Sequence, residues 1–353
     1  MVNLEKMRME NSKMVADGKD ESVGKKMKKP KALVLFSGGL DSMLAVKLIL
    51  DQGVEVEAVN FITPFSPCGE CFINEFAERL KIKVHRIFLG QEFLDIVMDP
   101  PHGYGSQMNP CIDCRILMFK KAKELAAEIG ADFLVTGEVL NERPFSQRRR
   151  VMLLIEKEAG LEGKILRPLS AKLMPMTEAE RMGLVDRSRL LAISGRSRRP
   201  QIELAKKLGV KDYPNPSGGC LLTDPIFAKR LREHLEHERR LRLEDAVLLK
   251  IGRHFRIGGV KVIVGRNREE NERLLRIAES RETIYLEVAD YKGPITLYLG
   301  DKDQKVLEKA AAITARYSDA PRDLPVKVLY VDGEREELVV KALSDDELRS
   351  LRV

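Results

Sequence analysis

The chain has 353 residues, 33% of them charged, with a formal net charge of +7 and no stretch approaching the roughly 20 apolar residues of a membrane span. That length accommodates two domains with separate cores, and residues 1–30, lysine-rich and without an apolar leader, are expected to be a mobile tail on a cytosolic protein. Five cysteines in that compartment argue against structural disulfides and for metal, cluster or redox chemistry, while the basic balance suits an anionic partner such as RNA.

From Lys31 the text alternates: strand "KALVLF", helix from Asp41, strand "VEVEAVNF", helix from about Phe72, strand "KVHRIF", helix "CRILMFKKAKELAAEIG", strand "ADFLVTGE". Strands separated by helical patterns predict an α/β fold, a parallel sheet covered on both faces, with ligands at the carboxyl ends of its strands. After Glu138 the pattern is irregular and Arg-rich, through "NERPFSQRRR" and "SGRSRRP" to the loop "YPNPSGGCLLTDP", before a basic helix "IFAKRLREHLEHERRLRL". A domain boundary is expected near its end, giving residues 31–245 and 246–353. The second module reads as α+β: "HFRIGGVKVIVGRN", helix "REENERLLRIAES", "TIYLEVADYKGPITLYLG", helix "DQKVLEKAAAITARYSD", and final strands "VKVLYV" and "ELVVKAL".

Ser37, Gly38, Gly39, Asp41 and Ser42 fill the first strand-to-helix turn. Glycines there let backbone N–H groups and a helix N-terminus approach an anion; the bare pair "GG" is equally consistent with a tight connection, and no Walker A ending follows. The full string "SGGLDS" after a buried strand resembles the pyrophosphate-binding loop of the ATP pyrophosphatase (PP-loop) superfamily. The resemblance implies an adenine nucleotide α-hydrolase-like fold, ATP cleaved between its α and β phosphates, and adenylation of a substrate oxygen. It places pyrophosphate on Ser37, Gly38, Gly39, Asp41 and Ser42, Mg2+ on Asp41, AMP beside Thr136, Gly137 and Glu138, and adenine near Asn60 to Thr63, including Phe61. Both of those last stretches also read as plain strand ends.

"NPCIDC" sets Cys111 and Cys114 ahead of a helix, whose N-terminus favours thiolate, and Cys220 stands far downstream in "SGGC". Two thiolates in C-x-x-C with a third from another loop would leave one iron of a cubane without a protein ligand. "NPCIDCRILMF" and "SGGC" behind "SGGLDS" resemble the tRNA thiouridine synthases, both 2-thiouridylases and 4-thiouridine synthases. On that resemblance Cys114 and Cys220 are the catalytic pair, tRNA is the substrate, and Cys111, Cys114 and Cys220 match the members that hold a [4Fe-4S] cluster. A metal-free persulfide pair is the alternative. Cys68 and Cys71 in "SPCGECF" complete a C-x-x-C…C-x-x-C pattern that fits structural zinc, a redox pair, or two ordinary packed thiols. No rhodanese-like segment is evident, so sulfur is expected as sulfide or from a carrier protein.

Ser146, Gln147, Arg148, Arg149 and Arg150, and likewise Arg196, Arg198 and Arg199, read either as RNA phosphate contacts or as solvated faces. His102 is an acid–base candidate or an incidental loop histidine; His85, His234, His237 and His254 show no ligand spacing, and His234 with His237 reads as a solvated helix face. The segment from Phe255 to Gly300 resembles the NFACT-R domain, inferred to bind RNA, although "TIYLEVADYKG" departs from its usual tryptophan and histidine. Arg253, Arg256, Arg266 and Lys292 are the phosphate contacts expected there. The reading as a whole is an ATP-dependent tRNA sulfurtransferase. Its rivals are a zinc-bearing PP-loop enzyme acting on a small molecule, and a tRNA- or ribosome-binding adaptor with a regulatory nucleotide site.

Overall fold

The computed structural model describes residues 29–66, 70–214 and 219–353. The expected tail up to residue 28 and Cys68 lie outside the described residues, and the side chain of Cys71 does too.

The first module runs β1 (Lys31–Leu35), α1 (Leu40–Leu50), β2 (Glu55–Ile62), α2 (Glu70–Leu80), β3 (Lys83–Phe88), α3 (Gln91–Met98), α4 (Cys111–Ile129), β4 (Phe133–Thr136), α5 (Arg149–Glu158), β5 (Ile165–Leu166), α6 (Glu178–Arg181), α7 (Arg199–Lys207) and α8 (Pro225–Glu238). Its five strands are all parallel in the order β3-β2-β1-β4-β5. Alternation along β1 divides its side chains between two cores. Ala32 and Val34 join Phe36, Met43 and Phe76 on the α1–α2 face, whereas Leu33 and Leu35 join Ile116 and Phe119 of α4 on the other. The chain leaves β1 toward β2 and returns to its opposite side as β4, so β1 and β4 flank a topological switch point, where ligands settle at the carboxyl ends of parallel strands.

The second module contains α9 (Leu243–Leu249), β6 (Arg253–Ile257), β7 (Val260–Val264), α10 (Arg268–Arg281), β8 (Tyr285–Val288), β9 (Thr296–Leu299), α11 (Gln304–Arg316), β10 (Val326–Asp332), β11 (Glu334–Val340) and α12 (Asp345–Leu351). Its six-stranded sheet is antiparallel, in the order β11-β10-β8-β9-β7-β6. Gly258 and Gly259, at φ 55° and 88°, close the β6–β7 hairpin with two left-handed residues, as a twisted two-residue turn requires. Helix α11 covers one face and α10 the other.

The expected α/β and α+β modules are both present. The boundary expected at 245–246 falls inside α9, which joins the two: Ala246 and Leu249 pack with the first module, Leu248 with the second. Several stretches differ from expectation. The irregular Arg-rich segment holds α5, α6 and α7; α4 begins at Cys111 rather than Cys114; and α3 and α12 were not anticipated. Among the described residues no helix is long and apolar enough to cross a membrane.

Candidate functional site: a nucleotide loop and a cysteine cluster

The turn after β1 has a geometry that could hold an anion. Gly38 has φ 76°, a left-handed conformation that favours glycine. Gly39 then stands extended as the cap of α1 and contributes no side-chain bond, so the first N–H groups of the helix stay open toward a ligand. Ser42 Oγ donates to Gly39 O at 2.8 Å and lies 3.4 Å from Ser37 Oγ, so both hydroxyls line the turn.

Across the switch point, Thr136 is buried at the end of β4 and Gly137 follows. A Cβ on Gly137 would lie 2.6 Å from the Asp41 carbonyl carbon and from Ser42 N. Glycine at 137 therefore lets the end of β4 abut the first turn of α1, which draws the two expected ligand segments together. Asn60 Nδ2 donates to Phe36 O at 2.8 Å and ties the end of β2 to the same turn. Phe61 is half-buried and packs between the α4 face of the sheet and the cluster around Phe65.

Asp41 does not face open solvent. Arg198 Nη1 meets its Oδ2 at 2.7 Å, while its Oδ1 is buried without a partner. The other arm of Arg198, Nη2, holds Glu142 Oε1 at 2.7 Å, and Gln201 Nε2 donates to Glu142 Oε2 at 3.4 Å. Burial, and then the charge of Asp41, push the Glu142 carboxyl up to about 7. Burial also raises Asp41 above the usual carboxylate range, against the opposing pull of Arg198 and Arg143. Of the Arg196, Arg198, Arg199 group, Arg198 is thus drawn inward, while Arg196 and Arg199 are exposed. Sequence reasoning missed Glu142 and Gln201; proline after Arg199, at the first turn of α7, was the available signal that this segment is helical.

The three described cysteines converge. Cys114 and Cys220 pack into the cluster of Phe65, Met108, Leu117 and Leu222, and Leu221 N donates to Phe65 O at 3.2 Å, fixing the later loop against the end of β2. Asn109 Nδ2 donates to Cys111 Sγ at 3.1 Å. Cys111 and Cys220 are near enough to Cys114 for their charges to disfavour its thiolate. The expected thiolate-favouring helix terminus is outweighed: burial pushes Cys114 up to about 12 and Cys220 up to about 11, with Arg115 and Arg143 respectively in opposition. The charge of Arg143 acts on Cys220, Asp41 and Glu142 alike, so one exposed side chain overlooks both the cysteines and the nucleotide loop. Among the described residues no three His, Cys, Asp or Glu side chains are gathered as for a single bound ion.

A chain of ion pairs links the cysteine helix to the end of β4. Arg115 Nε lies 3.4 Å from Glu138 Oε1, Arg167 Nε lies 3.1 Å from Glu138 Oε2, and Arg167 also bonds Glu156. His102 is a clamp: Nδ1 meets Asp113 Oδ1 at 2.7 Å, Nε2 meets Glu158 Oε1 at 3.1 Å, and its own N–H donates to Asp113 Oδ2 at 3.2 Å. The hydrogen bond to Asp113 holds its pKa above the usual histidine value. Asp113 sits between the two cysteines, so His102 positions the first turn of α4.

Several expected RNA contacts are otherwise engaged. Ser146 and Gln147 are buried, and Gln147 Oε1 accepts from Arg143 N at 2.9 Å, organising the turn rather than meeting a ligand. Arg256 pairs with Glu233 and Glu238, Arg266 forks onto Glu270, and Arg253 lies 4.5 Å over the Tyr317 ring, so a phosphate would have to displace these partners. Arg148, Arg149, Arg150 and Lys292 are exposed. His234, expected on a solvated face, is buried instead, because α8 docks on the second module: Lys261 Nζ lies 3.3 Å from its Nδ1, and its Nε2 donates to Arg240 O at 3.0 Å.

With that geometry in place, comparison with known proteins finds two separate matches along the chain. Residues 28–186 match the family described as thiamine biosynthesis protein (ThiI), and residues 252–352 match the NFACT protein RNA binding domain. A tRNA sulfurtransferase of Desulfurococcus amylolyticus is 28% identical over 167 residues, covering 46% of this chain and 34% of that protein. A tRNA-specific 2-thiouridylase MnmA of Sulfurimonas denitrificans is 33% identical over 118 residues, 31% of this chain and 35% of the other. The chain thus spans about a third of the length of these curated relatives. Among solved structures, a 4-thiouridine synthetase–RNA complex with bound ATP aligns with a TM-score of 0.38 at 22% identity, over 63% of this chain and 52% of the other.

Proposed function

We propose that this chain, which joins a ThiI-type PP-loop domain to an NFACT-type RNA-binding domain, is an ATP-dependent tRNA sulfurtransferase. The observation that carries the reading is the convergence of Cys111, Cys114 and Cys220, from two distant segments, on a site that shares Arg143 with the nucleotide loop.

In this reading the turn from Ser37 to Ser42 and the first N–H groups of α1 hold the pyrophosphate portion of ATP, while Thr136 and Gly137 border the AMP portion. The uridine carbonyl oxygen attacks the α phosphorus and pyrophosphate leaves; a sulfur nucleophile then attacks the activated carbon, and AMP departs with the oxygen. Holding both reactants in one cleft supplies the orientation that such a two-step displacement needs. Arg143, exposed and with its charge felt at Asp41, Glu142 and Cys220, is suited to the charge that develops on the departing phosphates.

Asp41 Oδ1, buried without a partner, is the oxygen that fits Mg2+ at the loop. For the sulfur species, a [4Fe-4S] cluster on Cys111, Cys114 and Cys220 is supported by the chemistry of the thiols, since burial disfavours the thiolates of Cys114 and Cys220 unless a positive centre takes the proton's place, while the three would have to draw closer together to ligate it. Such a cluster would supply one iron without a protein ligand, the open position that sulfur delivery needs. Without it, a persulfide on Cys114 would pass its outer sulfur to the base as Cys220 attacks the inner sulfur, leaving a Cys114–Cys220 disulfide that an external thiol reduces. On the cluster route sulfur enters as sulfide; on the persulfide route Cys114 takes the outer sulfur of a carrier protein's persulfide, and the carrier leaves as its thiolate.

The test is anaerobic incubation of the purified protein with unmodified tRNA, Mg-ATP and sulfide, followed by mass spectrometry of the nucleosides. A thiolated uridine that depends on ATP and disappears in Cys114→Ser is expected. ATP-independent product, or full thiolation by Cys114→Ser, would sink the reading. Iron and zinc analysis of the same preparation separates the cluster from a zinc-bearing enzyme.

A further inference from the structure

The carboxylate of Asp41 is held from across the fold. Leu140 and Ser194 form a parallel bridge, Gly195 N donates to Leu140 O at 2.8 Å, and the buried Ser170 Oγ accepts from Leu140 N at 2.9 Å while donating to Ile193 O at 2.7 Å. These bonds bring the turn after β4, which carries Glu142, against the segment that enters α7 at Arg198. Arg198 therefore forks: Nη1 meets Asp41 Oδ2 and Nη2 meets Glu142 Oε1, both at 2.7 Å. Gln201, in the first turn of α7 and fully buried, donates from Nε2 to Glu142 Oε2 at 3.4 Å, and its amide lies near enough to favour the charged form of Asp41.

Two buried oxygens of this cluster have no donor, Asp41 Oδ1 and Gln201 Oε1. Both are acceptors, and left unpaired each carries the full penalty of a desolvated polar group. Phosphate oxygens, being acceptors themselves, cannot satisfy them, whereas a divalent cation with its bound waters can. Arg198 opposes the charge of such an ion, so its place on Asp41 lowers cation affinity unless a gain in orientation outweighs the repulsion.

We propose that Arg198 is a positioning residue for the divalent cation that accompanies ATP: by occupying Oδ2 it fixes the Asp41 carboxylate with Oδ1 free, Glu142 holds the guanidinium in place, and Gln201 Oε1 accepts from a water of the hydrated ion. A carboxylate with both oxygens open turns about its last bond. One anchored by a charge-assisted hydrogen bond presents a single oxygen, and the groups that anchor a metal ligand govern affinity although they never touch the metal. The proposal rests on the nucleotide-loop part of the sulfurtransferase reading and deepens it.

The test is calorimetric titration of the full chain with ATP, in excess Mg2+ and again in EDTA, and with AMP as a ligand that needs no ion. The wild type is expected to bind ATP more tightly with Mg2+. Arg198→Ala and Arg198→Lys are expected to lose roughly tenfold or more of that gain, and Glu142→Gln, which still offers Nη2 an acceptor oxygen, to keep most of it, with AMP affinity unchanged in all three. Net charge alone predicts otherwise: a larger gain in Arg198→Ala, no change in Arg198→Lys and a smaller gain in Glu142→Gln. A wild-type gain in Arg198→Lys, or a loss in Glu142→Gln as large as in Arg198→Ala, overturns the proposal. So does an equal fall in AMP affinity, which would make Arg198 a strut of the fold. A wild type indifferent to Mg2+ overturns the nucleotide-loop reading and the proposal together, whereas the expected binding pattern without any thiolation overturns the sulfurtransferase reading alone.

Discussion

Two glycines near the nucleotide loop make opposite demands, and alanine at each separates folding from binding. At Gly137 a methyl carbon would sit 2.6 Å from the Asp41 carbonyl carbon and Ser42 N and 2.7 Å from Asp41 O, well inside the 3.4 Å where ordinary contact begins. Both neighbours are backbone, so neither yields by changing rotamer; β4 and α1 must part. Overpacking of this kind costs about 1–3 kcal/mol, and in a domain of this size each kcal/mol lowers the melting temperature by roughly 2–4 °C. Gly137→Ala should therefore melt several degrees below the wild type and lose ATP, because the displaced element is the first turn of α1.

At Gly39 the backbone is ordinary, φ −81° and ψ 161°, and the nearest atom to an added Cβ is Ser37 Oγ at 3.5 Å. Gly39→Ala should fold with a stability change within about 0.5 kcal/mol, yet its methyl group projects into the open space that pyrophosphate would enter. The assay is thermal melting with and without Mg-ATP. At a ligand concentration of one hundred times Kd the wild type gains about 2.7 kcal/mol, a shift that Gly39→Ala should lack. Gly137→Ala melting with the wild type would refute the packing argument, and a full ATP shift in Gly39→Ala would refute the placement of the anion.

Cys114→Ser and Cys220→Ser should each abolish thiolated nucleosides in a complemented deletion strain, and should each cost only about 1–3 kcal/mol of stability for a buried hydroxyl, measured by urea denaturation. Arg198→Ala should destabilise the ligand-free protein by leaving Asp41 and Glu142 in uncompensated repulsion, and Glu142→Gln should recover part of that loss; a double-mutant cycle with a coupling below about 0.5 kcal/mol would contradict the bridge. Burial pushes the Lys261 ammonium down to about 8 from 10.5, so the folded state sheds the proton first and the wild type gains stability as pH rises from about 8 toward 10.5. Lys261→Met should accordingly be the more stable at pH 7, by at most about 3 kcal/mol, and the advantage should shrink toward pH 10. An advantage independent of pH would show that the lysine enters the interface already neutral or well paired.

What the sequence disclosed follows the range of the forces involved. The turn at Gly38 and Gly39 was legible because its requirements are local: a left-handed residue, a short side chain, a helix start. The parallel sheet was legible for the same reason, since the alternation that sends Ala32 and Val34 to one core and Leu33 and Leu35 to the other is written in adjacent residues. Helix α5 was hidden because Arg149 and Arg150 stand at its amino end, where positive charge opposes the helix dipole, and no side chain caps it. Pairings across long separations were invisible: Arg198 with Asp41, 157 residues apart, and Arg256 with Glu233 on another helix. Counting basic residues therefore could not tell Arg256 and Arg266, which the fold pairs with glutamates, from Arg148, Arg149 and Arg150, which it leaves exposed.

The same distinction bears on the thiols. Spacing and a helix terminus argued for a thiolate at Cys114, but the terminus contributes a partial charge in the first turn, while a well-packed apolar surround removes the hydration that a full charge needs. Desolvation wins, and the resting thiols are protonated at neutral pH. Protonated, buried thiols resist adventitious oxidation, and they become nucleophiles or ligands only when an introduced positive centre or an attached sulfur changes their charge balance. On the sulfurtransferase reading, burial at Cys114 and Cys220 would keep both thiols quiet until a positive centre or a sulfur donor reaches the site.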